Sequence, residues 1–587
     1  MNKFVSGLAV NLLMFMVLPT AWAQDNPPTP KKISSPHQTK GLWYKNCIIY
    51  NVDVDAFKDS DGDGIGDIKG LTQQLDYLRM LGVNVLWLAP FQPSPMQDNG
   101  YDITDYYGVD PSLGTEGDFA EFIYQAHMRG MRVINDLVLN HTSIQHPWFQ
   151  EARRNKNSRY RDWYVWSEER PDDWNKGMVF PGVQQETWTY DKEAGAYYSH
   201  RFYKFQPDLN YKNPEVQAEV ERIISFWLRQ DLDGYRLDAV PFIIEDPRSD
   251  REDPIHYFEQ ITSFRKLTQW RKGEAIILGE ANVLPDENMR YFGDEGTGIH
   301  MMFNFYVNQH MFYSLASKDL QPLKKALRDT RDIPPTSQWA QFLRNHDELD
   351  LGRLTEAQRN KVFEEFGPKK NMQLYERGIR RRLAPMLQNR KQMEMVYSLM
   401  FSLPGTPVIR YGDEIAMGDD LSLKEREAVR TPMQWSADKN AGFSSANKKL
   451  DNPVIDKGEY SYKRVNVEAQ LRDPNSFLNW TKKLIDLRKQ CPEIGWGAWQ
   501  ILEANSPDVL VMEYEWNGSH LVLVHNFSEQ PQQVSFTSGA TAKVRLENLL
   551  QQETLKPDKA GVHKINIEGY GYRWYRVGGL LRLNDLK

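Results

Sequence analysis

Several short apolar runs in this chain end in residues able to do acid–base or nucleophilic chemistry. Asp136, Asn140 and His141 lie on or just after one run, Arg236 and Asp238 end the next, Glu280 ends a third, and His346 with Asp347 ends a fourth. Two carboxyl groups about 5 Å apart, one ionised and one protonated, can cleave a glycosidic bond with retention of configuration. Neighbouring strands lie about 4.8 Å apart, so Asp238 and Glu280 can face each other across one sugar if their runs are adjacent strands. Arg236 precedes Asp238 by two residues and shares its strand face. Its charge is expected to keep Asp238 ionised as a nucleophile. Glu280 must stay protonated to serve as the acid, so its surroundings must raise its pKa. The plainer alternative is that these acids only form salt bridges with nearby arginines. A second constellation, Asp59-Ser-Asp61-Gly-Asp63-Gly-Ile65-Gly-Asp67, spaces carboxylates two apart between glycines that permit a tight wrap. That is the chemistry of an oxygen-ligated cation loop resembling an EF-hand. The glutamate closing that motif is missing, since position 70 is glycine, and a solvated acidic turn is the alternative.

These groups can converge only if the runs are positioned by a common scaffold. Strand candidates fall at Cys47–Phe57, Asn84–Pro90, Arg132–Asn140, Asp233–Pro241, Ala275–Asn282, His300–Val307, Gln338–Asp347 and Thr406–Asp413, with helical patterns between them. The alternation predicts an α/β fold, a (β/α)8 TIM barrel, whose chemistry sits at the C-terminal ends of its strands. The catalytic barrel is expected over residues 41–141 and 208–495. A lobe rich in Trp, Tyr and Arg, residues 142–207, interrupts it after the third strand. A charged insert, residues 351–393, follows the seventh, and both inserts should stand at the mouth of the site. From 496 to 587 the pattern changes to short alternating strands, expected as an antiparallel β-sandwich domain.

Residues 1–23 carry a lysine, an apolar run from Phe4 to Leu18 and the Ala21-Trp22-Ala23 cleavage pattern. They read as a signal peptide, with export to the periplasm or the medium. The run is shorter than the ~20 residues of a membrane span, so no span is expected after cleavage. Residues 24–40 form a Pro/Thr/Lys/Ser linker. With net charge −7 and no long basic run, the chain lacks the footprint of a nucleic-acid binder. Its 12% aromatic content suits stacking against flat rings. Two cysteines, Cys47 and Cys491, exclude a disulfide framework, although export leaves open whether they pair. Oligomeric state is not legible.

The segments Asp136-Leu-Val-Leu-Asn140-His141, Gly234-Tyr-Arg236-Leu-Asp238-Ala, Leu278-Gly-Glu280 and Arg344-Asn-His346-Asp347 resemble the four signature regions of the α-amylase superfamily, glycoside hydrolase family 13. Gln206-Pro-Asp208-Leu-Asn210 is similar to the fifth region of its oligo-1,6-glucosidase branch. Within the superfamily, Phe342–Leu349, Gly378–Pro385 and Arg430–Trp435 resemble trehalose synthases. The resemblance implies Asp238, Glu280 and Asp347 as catalytic acids, and His141 and His346 as hydrogen-bonding partners of the sugar, alongside Arg236. It implies that Asp98 and Tyr101 close the non-reducing end, Tyr101 by stacking on glucose, and that Arg430 clamps Asp98 or the sugar. It implies a structural calcium at Asp59, Asp61, Asp63, Ile65 and Asp67, a second metal site involving Asn140 and Asp208, and no organic cofactor. A wall at the non-reducing end implies a pocket for small α-glucosides.

Three functions compete on this reading. The first is intramolecular glucosyl transfer from maltose with accompanying hydrolysis; the second is plain hydrolysis of short α-glucosides. The third is a non-catalytic sugar-binding relative, against which the retained acids argue. The loop 243–251 departs from the trehalose synthase pattern beside the leaving-sugar side, where it could let glucose escape.

Overall fold

The structure is a computed structural model that describes residues 41–538 and 544–577. The expected signal peptide and linker lie outside the described residues.

Eight parallel strands close into a barrel in sequence order. They are β1 (Ile49–Val52), β2 (Val85–Leu88), β3 (Arg132–Leu137), β4 (Gly234–Leu237), β5 (Ile276–Gly279), β6 (Met301–Phe303), β7 (Gln338–Phe342) and β8 (Thr406–Arg410). Inward-facing residues such as Ile49, Val85, Trp87, Ile134, Leu278, Phe303 and Phe342 form one buried cluster, the packed interior that this barrel type requires. A larger cluster lies between the strands and the surrounding helices.

The strands are shorter than the apolar runs that announce them. The run Cys47–Phe57 contains β1 and then a one-turn helix, Val54–Phe57. The run His300–Val307 stops as a strand at Phe303, because Asn304 accepts the Val307 N–H at 3.1 Å and caps the helix Phe305–Ser317. An N-cap ends a strand wherever its side chain can satisfy a free helix donor, and apolar periodicity does not report that.

The lobe after β3 is less irregular than its composition implies. It holds a helix, Pro147–Arg154, and a three-stranded antiparallel sheet, in which Ala196–Ser199 lies between Trp166–Ser167 and Trp188–Asp191. The insert after β7 carries the helix Glu356–Phe366 and a small sheet in which Gly378–Ile379 pairs with Leu349–Asp350 and Gln373–Leu374. At the C-terminus a six-stranded antiparallel sheet, Ala498 to Val577, faces a two-stranded sheet of Gln532–Thr537 and Val562–Ile567. Val511, Val522, Val534, Phe536 and Ile565 fill the space between them. Among the described residues no helix is long and apolar enough to cross a membrane. Cys47 and Cys491 are both buried and free.

Candidate active site

β3, β4 and β5 are consecutive neighbours, with Asp136 opposite Arg236 and Arg236 opposite Leu278. This register places three acids around one guanidinium. Arg236 Nη1 lies 2.7 Å from Asp136 Oδ1 and 2.5 Å from Asp238 Oδ1, and its Nη2 lies 2.8 Å from Glu280 Oε2. Ala239, directly after Asp238, adopts a left-handed backbone (φ 49°) and donates its N–H to Glu280 Oε2 at 3.1 Å. A non-glycine residue held there is a strained position of the kind found at functional sites. Asp136 is saturated, because Trp87 Nε1 and the Tyr101 hydroxyl also donate to it, at 3.1 and 2.9 Å.

The electrostatics follow from that crowding. Burial, with Asp238 and Asp347 nearby, pushes Glu280 up to about 7, against the pull of Arg236. The direction is the one an acid catalyst needs. Asp238 is also raised, to about 6, because burial and the charges of Asp136 and Asp347 outweigh Arg236. Arg236 pulls Asp238 toward the ionised form as expected, but its single charge is divided among three carboxylates. Asp347 differs. Its Oδ1 lies 3.1 Å from both Arg426 Nη1 and Arg430 Nη2, and this pairing, with His346 and Arg236, holds the carboxyl far below its usual range despite burial.

Asp98, Tyr101, His141, Asp238, Glu280, His346 and Asp347 all line one cavity of about 630 Å³. Several expected roles meet different partners there. The Tyr101 ring stacks on His346 (5.5 Å between centroids, 10° between planes), with its hydroxyl 2.7 Å from His346 Nε2. His141 turns Nε2 to the Tyr101 carbonyl at 3.0 Å. Arg430 does not clamp Asp98. Its Nη1 donates to Asn99 Oδ1 at 2.6 Å and its Nε to the His346 carbonyl at 2.9 Å, while Asp98 accepts from Gln206 Nε2 at 2.9 Å. Being 98% buried, Arg430 braces the end of β7 from behind.

Asp59, Asp61 and Asp67 bring carboxylate oxygens within 4.8 Å of one another, a hard-oxygen set of the kind that suits Ca²⁺. Asp63 is not in that cluster; its Oδ1 accepts the Ile65 N–H at 2.8 Å. Asn140 and Asp208 do meet, but through the amide nitrogen, with Asn140 Nδ2 3.0 Å from Asp208 Oδ1. Asp208 also accepts from Ser199 Oγ and the Arg201 N–H, at 2.8 and 2.9 Å. The pair stitches the lobe to β3.

Sequence reasoning missed Arg426 and Glu348, which line the cavity and pair with each other at 2.9 Å. It also missed the buried ion pair of Arg201 with Glu245. Arg426 lies four residues before Arg430, in a segment with no motif of its own, so only its contact with Asp347 marks it. The departing loop 243–251 is anchored to the lobe by that Glu245 pair and by Arg251 Nη2 on Ser199 Oγ, 2.7 Å.

Known proteins resemble this chain in sequence and fold. Residues 51–497 match the model of the α-amylase catalytic domain, and residues 518–576 that of the sucrose hydrolase-like C-terminal domain. The chain is 42% identical over 540 residues to a trehalose synthase of Thermus thermophilus, covering 91% of this chain and 56% of the relative. It thus spans about half the length of that protein. A trehalose synthase/amylase of Mycolicibacterium smegmatis is 40% identical over 549 residues, covering 91% of this chain and 92% of the relative. Among solved structures, a trehalose-6-phosphate hydrolase of Bacillus licheniformis superposes with TM-score 0.72 at 26% identity, covering 91% of this chain and 99% of that one.

Proposed function

The chain belongs to the α-amylase family, glycoside hydrolase family 13, and from that premise we propose that it is a retaining α-glucoside-processing enzyme of the trehalose synthase type. It acts on maltose or short maltooligosaccharides, transferring glucose within the bound pair and hydrolysing a fraction of it. One observation carries the mechanism: Asp238 and Glu280 end neighbouring strands, share Arg236, and face a cavity sized for one small molecule.

Asp238 attacks the anomeric carbon while Glu280 gives its proton to the leaving oxygen, producing a glucosyl ester on Asp238 and free glucose. Glu280, now ionised, takes a proton from the incoming hydroxyl as that oxygen displaces Asp238. When the oxygen is the anomeric hydroxyl of the retained glucose, trehalose forms; when it is water, glucose forms. Asp347 and His346 hold sugar hydroxyls, Asp98 and Tyr101 close the non-reducing end, and His141 borders the same subsite. The anchored loop 243–251 favours retention of the leaving glucose over its escape. Asp59, Asp61 and Asp67, with Asp63 and Ile65 in the same loop, would hold a Ca²⁺ whose contribution is to fold the loop, remote from the bond-making steps.

Purified protein incubated with maltose, its sugars separated by chromatography, should yield trehalose with a smaller amount of glucose. Asp238→Asn should yield neither. Glucose alone would replace transfer by hydrolysis, and equal activity of the Asn variant would remove the nucleophile assignment.

A further inference from the structure

The run Arg380-Arg381-Arg382 leads out of the insert after β7 into the helix Leu383–Leu387, and none of the three lines the cavity. Their side chains hold the segment that follows β8. Arg380 Nη2 donates to the carbonyls of Leu421 and Leu423, at 2.9 and 2.6 Å. Arg381 Nε lies 2.9 Å from Asp419 Oδ2, which also accepts the Arg382 N–H at 2.9 Å. Arg382 Nη1 donates to the Tyr411 carbonyl at 2.8 Å and pairs with Asp413 at 3.1 Å. The segment pinned in this way runs on to Arg426 and Arg430, the two partners of the Asp347 carboxylate.

Arg344 ties the same run to the backbone of Asp347. It is buried, follows β7 by two residues and does not line the cavity. Its Nε donates to the Arg381 carbonyl at 2.7 Å and its Nη2 to the Asp347 carbonyl at 2.6 Å. One planar fork therefore spans two carbonyls, which the point charge of a lysine cannot do. The turn it closes is short: Asn345 Oδ1 accepts the Asp347 N–H at 3.0 Å, and Arg430 Nε donates to the His346 carbonyl at 2.9 Å. Asp413, Glu348 and Asp347 surround the Arg344 guanidinium with opposite charge.

We infer that Arg344 is a positioning residue for catalysis: its fork holds the Asp347 backbone against the run Arg380–Arg382 and so sets where the Asp347 carboxylate stands in the cavity. Arg426 and Arg430 hold the side chain, Arg344 holds the main chain, and the pinned segment after β8 connects the two grips. Arg344 makes and breaks no bond and touches no sugar. Its effect is geometric, since a displacement of about 1 Å caused far from the chemistry can cost roughly 10²-fold in rate. The inference rests on the reading above in which Asp347 acts on the bound sugar.

The test is a double-mutant cycle on kcat/KM for p-nitrophenyl α-glucoside with the full-length chain. Arg344→Lys keeps a charge among the surrounding carboxylates but loses the fork. It should lower kcat/KM by roughly 10–10²-fold in the parent and by about twofold or less in an Asp347→Asn background, because the two residues act as one unit. Asp419→Asn, outside the cavity, releases Arg381 from its ion pair and should show the same pattern with a smaller loss. In Arg344→Lys the alkaline limb of the pH profile should also move to lower pH, because Asp347 is one of the charges that raise Glu280 and its effect weakens with distance. Equal losses in both backgrounds, or an unmoved alkaline limb, overturn the inference alone. An Asp347→Asn protein as active as the parent overturns the reading of Asp347 and the inference with it.

Discussion

Arg236 carries one positive charge and faces three carboxylates. Burial then decides where protons reside: Asp347, with arginines of its own, stays ionised, while Glu280 and Asp238 are pushed up to about 7 and about 6. Cleavage needs Asp238 ionised and Glu280 protonated. Activity is therefore lost as pH falls through the Asp238 value and as it rises through the Glu280 value. The expected kcat/KM profile on p-nitrophenyl α-glucoside is a bell with its maximum between those two values, about 6 and about 7. Glu280→Gln should reduce kcat/KM by about 10²–10⁴-fold and flatten the alkaline limb. An alkaline limb that survives the substitution would assign the acid elsewhere. The placement of Asp238 and Glu280 at neighbouring strand ends was legible in the sequence because strand-end position and spacing of two are local facts. Their shared proton economy was not, since it depends on how many acids one arginine must serve.

At the scale of elements, the loop from Asp59 to Asp67 is organised by its own backbone. Asp59 Oδ1 accepts from the Asp61 and Gly62 N–H groups and its Oδ2 from Gly64, while Ser444 Oγ reaches the same carboxylate at 2.5 Å. Asp67 caps the helix Ile68–Gln73 by accepting from the Gly70 N–H at 2.8 Å. Asp61 accepts only the Asp63 N–H, at 3.0 Å, so of the three clustered acids it has the fewest partners within the protein. Chelation should lower the melting temperature of the parent protein by several degrees, since a ligand bound to the native state alone stabilises it. Asp61→Ala should lower it similarly and abolish the chelator response. Identical melting curves with and without chelator in the parent chain would remove calcium from this loop. Spacing marked the loop as a candidate, but which acids converge depended on the turn: Asp59, Asp61 and Asp67 meet, and Asp63 does not join them.

Across the whole molecule, the C-terminal sheet is joined to the barrel by buried polar contacts. Trp574 Nε1 donates to Ser398 Oγ at 2.9 Å and the Tyr514 hydroxyl to the Ser402 carbonyl at 2.6 Å. Arg576 and Glu493 form an ion pair at 2.9 Å with neither side chain exposed. Removing one partner leaves a charge buried alone, so Arg576→Met should cost about 3–5 kcal/mol in denaturant unfolding, and adding Glu493→Leu should recover much of it. A single variant as stable as the parent would show that water reaches the pair. The sequence by itself determined the barrel, its closing β-domain and the strand ends where acids gather, because those follow from apolar periodicity and the order of short local motifs. Tertiary structure alone decided that Arg430 braces Asp347 and leaves Asp98 to Gln206, that Arg426 joins it, and that Tyr375, in the insert after β7, meets Phe180 and Tyr203 of the lobe. Each of these contacts joins segments tens to hundreds of residues apart, and such partners are chosen by how loops pack over a closed barrel, which no local pattern records.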